Sequence, residues 1–427
     1  MSVSIGLRTT AVLGASAVAA ALLVTVPEPA DAARACKIEV TTRLGKTTSF
    51  EGGGLVKNYY ATAKGSAVGQ YDHAGNVIMT IFPTGASPSL IHRKIGERET
   101  IGSMAKSQSP TALGAINGDF FVFADIQYAS DIEMARGSMV TNGKIIRGSN
   151  KPLRVVGTDS TLLPFGGTLA VRGSAQAMVT GAPRLALRSV NWHKLLNGGV
   201  NLYTTQWSSV KRSDGKAAYP RPAGAAEWVL NSRNKITSIR TSSQNATSLG
   251  APVAARSRVL AFSPETAAVA DDVVVGTKVK VAVRQQTSSG VKLQTAVGRG
   301  LALVEGGRPA PLGCRAYAQS SGAKAARPRT FVGWDDRGRW RAFTVPGAKV
   351  EDPNGVLQRT GGFGLANAAN IAKKLGMANA YELDGGGSTS LWTRSSTQWT
   401  RQDLYGVSNP GGCACQRAMS NGLVFLP

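Results

Sequence analysis

Histidine is almost missing: His73, His92 and His193 are the only three in 427 residues, and they stand in unrelated contexts. An HExxH helix, a multi-histidine metal cage and a Ser-His-Asp assembly are thereby excluded, and acid–base work falls to carboxylates. Charge is thin as well, at 17% of residues, and short of one sign, with 25 Asp+Glu against 49 Lys+Arg. Only four cysteines occur, Cys36, Cys314, Cys413 and Cys415. Past Val26 there is no apolar run long enough to span a bilayer, so no membrane span is expected after it. The 42% of apolar residues nevertheless supplies a sizeable core, so the chain is not disordered, and its length fits one large domain or two or three smaller ones.

The one long apolar run, Ala11 to Val26, follows a start that carries a single Arg8 and precedes Ala30-Asp31-Ala32, which obeys the small-x-small rule of signal peptidase. Residues 1–32 are therefore expected to be a cleaved secretory signal, the Ala-rich run being short against the about 20 residues of a bilayer span. Arg34 occupies the place where a lipoprotein box needs a small apolar residue, so no lipid anchor is expected. Cleavage removes Arg8, Glu28 and Asp31 and leaves a formal charge of +25. Such a charge favours anionic partners. For a secreted or extracytoplasmic protein these are phosphate-rich wall polymers, anionic polysaccharide or lipid headgroups, with no nucleic acid expected. An even cysteine count in an exported chain suggests two disulfides, with three connectivities open. A bridge across the single residue between Cys413 and Cys415 would be strained, so each is expected to pair with Cys36 or Cys314.

Short β segments joined by turn residues dominate the chain. Gln70 to Ile81 reads as two strands around His73-Ala74-Gly75-Asn76, Met139 to Ile146 as a hairpin about Asn142-Gly143, and Thr330 to Val345 as one about Asp336-Arg337-Gly338. Helices are few. Leu365, Ala368, Ala372 and Leu375 share one helical face, Gly376 supplies a C-cap, and a strand over 378–383 follows; a shorter helix covers Ile101 to Lys106. The pattern predicts an α+β fold with mixed, mostly antiparallel sheets and few helices. After the signal, residues 33–57 read as an N-terminal segment and 58–427 as one catalytic domain, with a β-rich insertion at about 183–287 where Ser-, Lys- and Arg-rich loops surround strands such as Trp228–Leu230, Ile236–Arg240 and Lys278–Arg284.

Three segments carry possible chemistry. In Tyr381-Glu382-Leu383-Asp384-Gly385-Gly386-Gly387-Ser388 a strand ends in a carboxylate followed by three glycines, whose amides can form an anion-binding nest; in a continuing strand Glu382 and Asp384 share a face. A plain glycine-rich turn has the same spelling. In Asn117-Gly118-Asp119-Phe120-Phe121 a buried strand runs into an amide and a carboxylate. In Arg327-Pro328-Arg329-Thr330 the proline favours extended chain and sets Arg329 at the mouth of a strand, suited to bidentate recognition of phosphate or carboxylate, or to a solvated rim.

Asn117 to Phe121, then Pro328 to Gly333, then a helix followed by Leu383-Asp384-Gly385-Gly386-Gly387-Ser388, then Arg417 to Val424, together resemble the ordered motifs of the phosphodiester glycosidase family, over roughly Asn58 to Pro427. The chain departs from that pattern at Val345-Pro346-Gly347-Ala348, where the family often has an Asp-Gly-Arg turn, and at Glu382, where an amide is frequent. The resemblance implies hydrolysis of a sugar-1-phosphodiester on the sugar side, releasing a phosphomonoester. It implies Asp384, Glu382 and Asp119 as catalytic carboxylates, and Asn117, Arg329, Thr330, Gly385, Gly386, Gly387, Ser388 and Arg417 as substrate contacts, with no cofactor and no metal. Two other readings stay open: a phosphodiesterase attacking phosphorus, and a non-catalytic binder of anionic envelope polymers.

Overall fold

The computed structural model describes residues 38–65, 73–122, 134–193, 195–207, 225–241, 249–270, 272–310, 327–346, 348–351, 357–360, 362–396, 398–403 and 416–427. The signal segment and all four cysteines, with their pairing, lie outside the described residues. The described chain is mostly strand, with two α-helices, as the sequence predicts. None of its helices is long and apolar enough to cross a membrane.

Two sheets frame the site. The first is an eight-stranded antiparallel sheet in the order Ile38–Phe50, Gly54–Gly65, His73–Ile81, Trp340–Val345, Arg329–Trp334, Asn379–Glu382, Ala302–Glu305, Arg308–Pro309. The second has five antiparallel strands in the order Gln398–Arg401, Leu391–Ser395, Gly114–Asn117, Asn421–Leu426, Ser87–His92. Phe82, Ile116, Val332, Trp340, Leu383, Leu391, Leu423 and Phe425 fill one buried core between them. Removing so many large side chains from water is the main force that holds the two sheets together.

Helix α1 (Ile101–Gln108) covers the five-stranded sheet through Ile101, Met104 and Ala105, and its start is capped by Thr100, whose hydroxyl accepts from Ser103 N at 3.3 Å. Helix α2 (Leu365–Lys374) lies on the eight-stranded sheet, with Leu365, Ala368, Ala372 and Leu375 all buried. The chain leaves α2 at Gly376, whose φ of +80° needs a residue without Cβ, and returns at once as the strand Asn379–Glu382. This turn delivers the Asp384 loop to its place.

Residues from Met139 to Gly298 build a third, eleven-stranded sheet, in which Leu185–Val190 and Val200–Tyr203 form a parallel pair among otherwise antiparallel neighbours. The Asn142-Gly143 hairpin forms as expected, both residues having positive φ, 49° and 72°. So does the hairpin of Arg329–Trp334 with Trp340–Val345, whose turn is tied by the buried Asp335 carboxylate to Arg339 and Arg341. The expected turn at His73-Ala74-Gly75-Asn76 does not form. Those residues lie inside the strand His73–Ile81, paired residue by residue with Gly54–Gly65, because a long two-strand ladder outcompetes a local turn signal. Strand Gly54–Gly65 runs through residue 58, and the strands between 183 and 287 share their sheet with strands before and after them.

Candidate active site

Four segments distant in sequence converge where the eight- and five-stranded sheets meet. Leu383 N donates to Thr330 O at 2.9 Å, Asp384 N to Gly118 O at 3.0 Å and Gly386 N to Pro328 O at 2.8 Å, so the loop after Asn379–Glu382 is laced to both neighbouring motifs. Asn117 is the knot of this lacing. Its Nδ2 donates to Asp384 O at 2.7 Å, while its Oδ1 accepts from Thr330 Oγ1 at 2.8 Å and Ser390 N at 2.9 Å. Asn117 and Thr330 are fully buried. Both were expected to contact substrate, but their polar groups are spent on holding the loop, since an unpaired amide at such depth costs about 1–3 kcal/mol.

Asn421, on the last strand within the Arg417 to Val424 segment, is not singled out by the sequence yet completes the frame. Its Oδ1 accepts from Asp119 N at 2.9 Å, and its side chain lies where a Cβ on Gly118 would have to go. Asp119 is thus fixed between two sheets.

Glu382 differs from expectation. The strand ends at this residue, so the alternation that would have put Asp384 on its face does not continue. The register pairs Phe331 with Glu382, making Arg329 its diagonal neighbour on the same face, and Arg329 Nη1 reaches Glu382 Oε1 at 3.2 Å. Glu382 Oε2 accepts from Leu301 N at 3.3 Å, and Arg329 Nε donates to Phe363 O at 3.2 Å. Both side chains are under 10% exposed. Arg329 does stand at the strand mouth, but its guanidinium faces inward to a carboxylate. Burial holds the Glu382 carboxyl above its usual range, opposed by the Arg329 charge.

Asp384 and Asp119 form the chemically open pair. Asp384 keeps part of its surface exposed. Loss of surrounding water pushes its carboxyl up to about 7, against the pull of Ser388, Gly385 N and Arg417. Gly385 N donates to Asp384 Oδ1 at 2.9 Å, whereas Ser388 Oγ, buried, makes no hydrogen bond of good geometry. Asp119 is also pushed up to about 7, first by burial, and the nearby Asp384 charge adds to the rise; Gly137 N and the buried Arg147 oppose it. Arg147 in turn donates to Asn191 O at 2.8 Å and packs over the Trp192 ring at 4.3 Å.

Of the expected glycine nest, the Gly385 amide is engaged by Asp384 and the Gly386 amide by Pro328, so neither points at a ligand. Gly387 serves another purpose: the Arg417 guanidinium lies against it, in the space a side chain would take. Cations the sequence did not single out line the other wall. Asp119 borders a cleft of about 510 Å³ with Phe120, Arg136, Gly137, Pro152, Leu153, Arg154 and Arg299. Arg136 and Arg154 are exposed, while Arg299 is steadied by Val155 O at 3.1 Å and the Tyr381 ring at 4.3 Å. Gly137 and Gly298 have no Cβ because the Asp119 carboxylate occupies that space. Among the described residues no cluster of three or more His, Cys, Asp or Glu is placed to share a metal ion.

Residues 225–426, which include the Asp384 loop, match the family model described as phosphodiester glycosidase. That stretch, a little under half of the chain, is similar to the phosphodiester glycosidase family; it contains Arg329, Glu382, Asp384 and Arg417, while Asn117 and Asp119 precede it. No curated protein sequence matches the chain. In fold the chain is similar to a hypothetical protein from Synechocystis, with a TM-score of 0.61 and 17% identity over 92% of this chain and 68% of that one. It is similar also to a protein from Burkholderia pseudomallei, with a TM-score of 0.58 and 16% identity over 93% and 88% of the two chains. The zebrafish N-acetylglucosamine-1-phosphodiester alpha-N-acetylglucosaminidase catalytic domain, auto-inhibited by its pro-peptide, aligns at 14% identity over 91% and 83%, but its TM-score of 0.39 is too low to bear on the argument.

Proposed function

We propose that this glycosidase cleaves a sugar-1-phosphodiester between the anomeric carbon and its oxygen, releasing free sugar and a phosphomonoester. The observation that carries the reading is the convergence of the Asp384 loop on the Asn117–Asp119 segment, with an arginine-walled cleft beside Asp119; burial raises both carboxyls. A phosphomonoester is a good leaving group, so the reaction needs positive charge around the departing phosphate more than a strong general acid. Arg417 from one wall, and Arg136 and Arg154 from the other, supply that charge; Arg329 is occupied by Glu382 and acts as a positioning residue. Asp384, the more open carboxylate, faces the anomeric carbon and stabilises its developing positive charge. Asp119, held by Asn421 and Gly137, takes the proton from water. Two acids poised near neutrality exchange protons readily at that pH, and as neighbours they titrate as a pair.

The accompanying reading is that the protein works outside the cytoplasm, supported by the signal-like residues 1–32 and the +25 charge that follows their removal. The test uses protein recovered from the medium of a culture expressing the whole chain, and its absence there would remove the export clause. Reaction in ¹⁸O water with a panel of aldohexose and amino-sugar 1-phosphodiesters should place the label in the sugar. Label in the phosphate would transfer the protein to the phosphodiesterases. No turnover across the panel, with retained binding of anionic polymer, would favour the non-catalytic binder.

A further inference from the structure

The eleven-stranded sheet holds a second basic groove that hydrolysis does not use. It has a volume of about 670 Å³, and its lining includes Lys144, Arg258, Arg284 and Lys292 around an apolar floor formed chiefly by Ile145, Val283 and Val291. The cations come from separate places in the chain: Lys144 opens a hairpin strand, Arg258 begins the strand Arg258–Phe262, Arg284 lies within Val279–Thr287, and Lys292 precedes Leu293–Gly298. No carboxylate lines the groove, and none of the four forms an ion pair among the described residues. Four like charges gathered without a counter-charge repel one another, and a bound polyanion would relieve that cost.

Val190 and Leu202 are almost fully buried, whereas Val283 at the rim is 39% exposed. The accessible carbon surface of the groove therefore comes from Val283 and the partly exposed Ile145 and Val291, among the cations. No aromatic side chain lines it, so it lacks the platform on which nucleic-acid bases stack. It is also separate from the catalytic cleft. Lys292 and Arg299 stand at opposite ends of the strand Leu293–Gly298, seven residues of extended chain apart, or roughly 23 Å. A single phosphodiester cannot touch both.

We propose that this groove binds a linear, phosphate-linked polyol chain, with the phosphates on Lys144, Arg258, Arg284 and Lys292 and the carbon backbone on the apolar floor. The proposal concerns binding alone and does not depend on which bond the active site breaks. The test measures fluorescence anisotropy of a labelled glycerol-phosphate oligomer, which has no anomeric carbon and so cannot be a glycosidase substrate, against the full chain. Replacing Lys144, Arg258, Arg284 and Lys292 together by Ala should weaken binding roughly tenfold or more and flatten its salt dependence. Turnover of a small sugar-1-phosphodiester should stay unchanged, and the melting temperature should not fall, since the mutual repulsion of the four cations is removed. The control replaces four other exposed cations, Lys46, Lys64, Lys373 and Lys374, by Ala. An equal loss in the control would reduce the effect to net charge and overturn the site. Unchanged binding in the groove variant would overturn it directly. A single-stranded oligonucleotide of equal charge that binds as tightly through the same four residues would overturn the assigned ligand class.

Discussion

Glu382 and Asp384 are separated by one residue, and the surrounding protein desolvates both, yet the chain puts them to opposite uses. Glu382 closes a strand, meets the Arg329 guanidinium and the Leu301 amide, and has both oxygens engaged by the protein. Asp384 has left the strand, is fixed through its own backbone by Asn117 and Gly118, stays partly exposed, and has Asp119 and Arg417 for electrostatic neighbours. The difference lies in what satisfies the charge. A carboxylate paired with a buried arginine acts as a structural tie, whereas one whose desolvation outweighs the pull of its neighbours stores the reactivity that catalysis draws on.

The sharpest way to break this comparison is Asp384→Asn. The amide keeps the shape and can still accept from Gly385 N, but it carries no charge for the transition state. Turnover should fall roughly 10²–10⁴-fold, the range of a positioned acid–base group, with the fold retained. Kinetics paired with thermal melts decide it. Near-normal turnover, or a loss accounted for by unfolding, would make Asp384 a turn cap.

The second test lands on stability. Arg329→Met leaves Glu382 buried without its cation, and breaking such a pair costs about 3–5 kcal/mol. Adding Glu382→Gln to that variant should recover a large part of the loss, because a neutral amide needs no counter-charge. Denaturant unfolding of the two single variants and the double variant measures the coupling. If Arg329→Met instead leaves stability intact and impairs only substrate binding, Arg329 belongs to the phosphate grip after all.

These contrasts were only partly legible in the sequence. The helix before Asn379–Glu382, its Gly376 cap and the hairpins at Asn142-Gly143 and Asp336-Arg337-Gly338 were readable, because each is governed by residues close together in the chain. Asp384, Asp119 and Arg417 stood out through motif order, and the fold brings them together. The partner of Glu382 was hidden, for it depends on a register between strands some fifty residues apart. The same holds for Asn421, which steers Asp119 from about three hundred residues away, and for the Arg136, Arg154 and Arg299 wall, whose members are scattered along the chain and lack local pattern. A lone buried asparagine looks like any other until the sheet order is known.

The remaining test is the most discriminating, because it uses the same Asp384→Asn variant and predicts a gain. Burial raises the Asp384 carboxyl from its ordinary 3.8 to about 7. Between those values the folded protein holds a proton that the unfolded chain has released, so the unfolded state is favoured increasingly as pH climbs. The carboxyl's contribution to stability is fully present below about 3.8, declines as pH rises through about 7, and stays lost above it. Asparagine has no proton to lose and escapes the penalty. It also relieves Asp119, whose own rise comes partly from the Asp384 charge. The variant should therefore melt close to the wild type near about pH 4 and above it near about pH 8, with the gap opening between. Melting curves across that range check the sign. A variant that is less stable than wild type at the alkaline end would mean that the Asp384 charge holds the loop, and the contrast with Glu382 would collapse into two structural carboxylates.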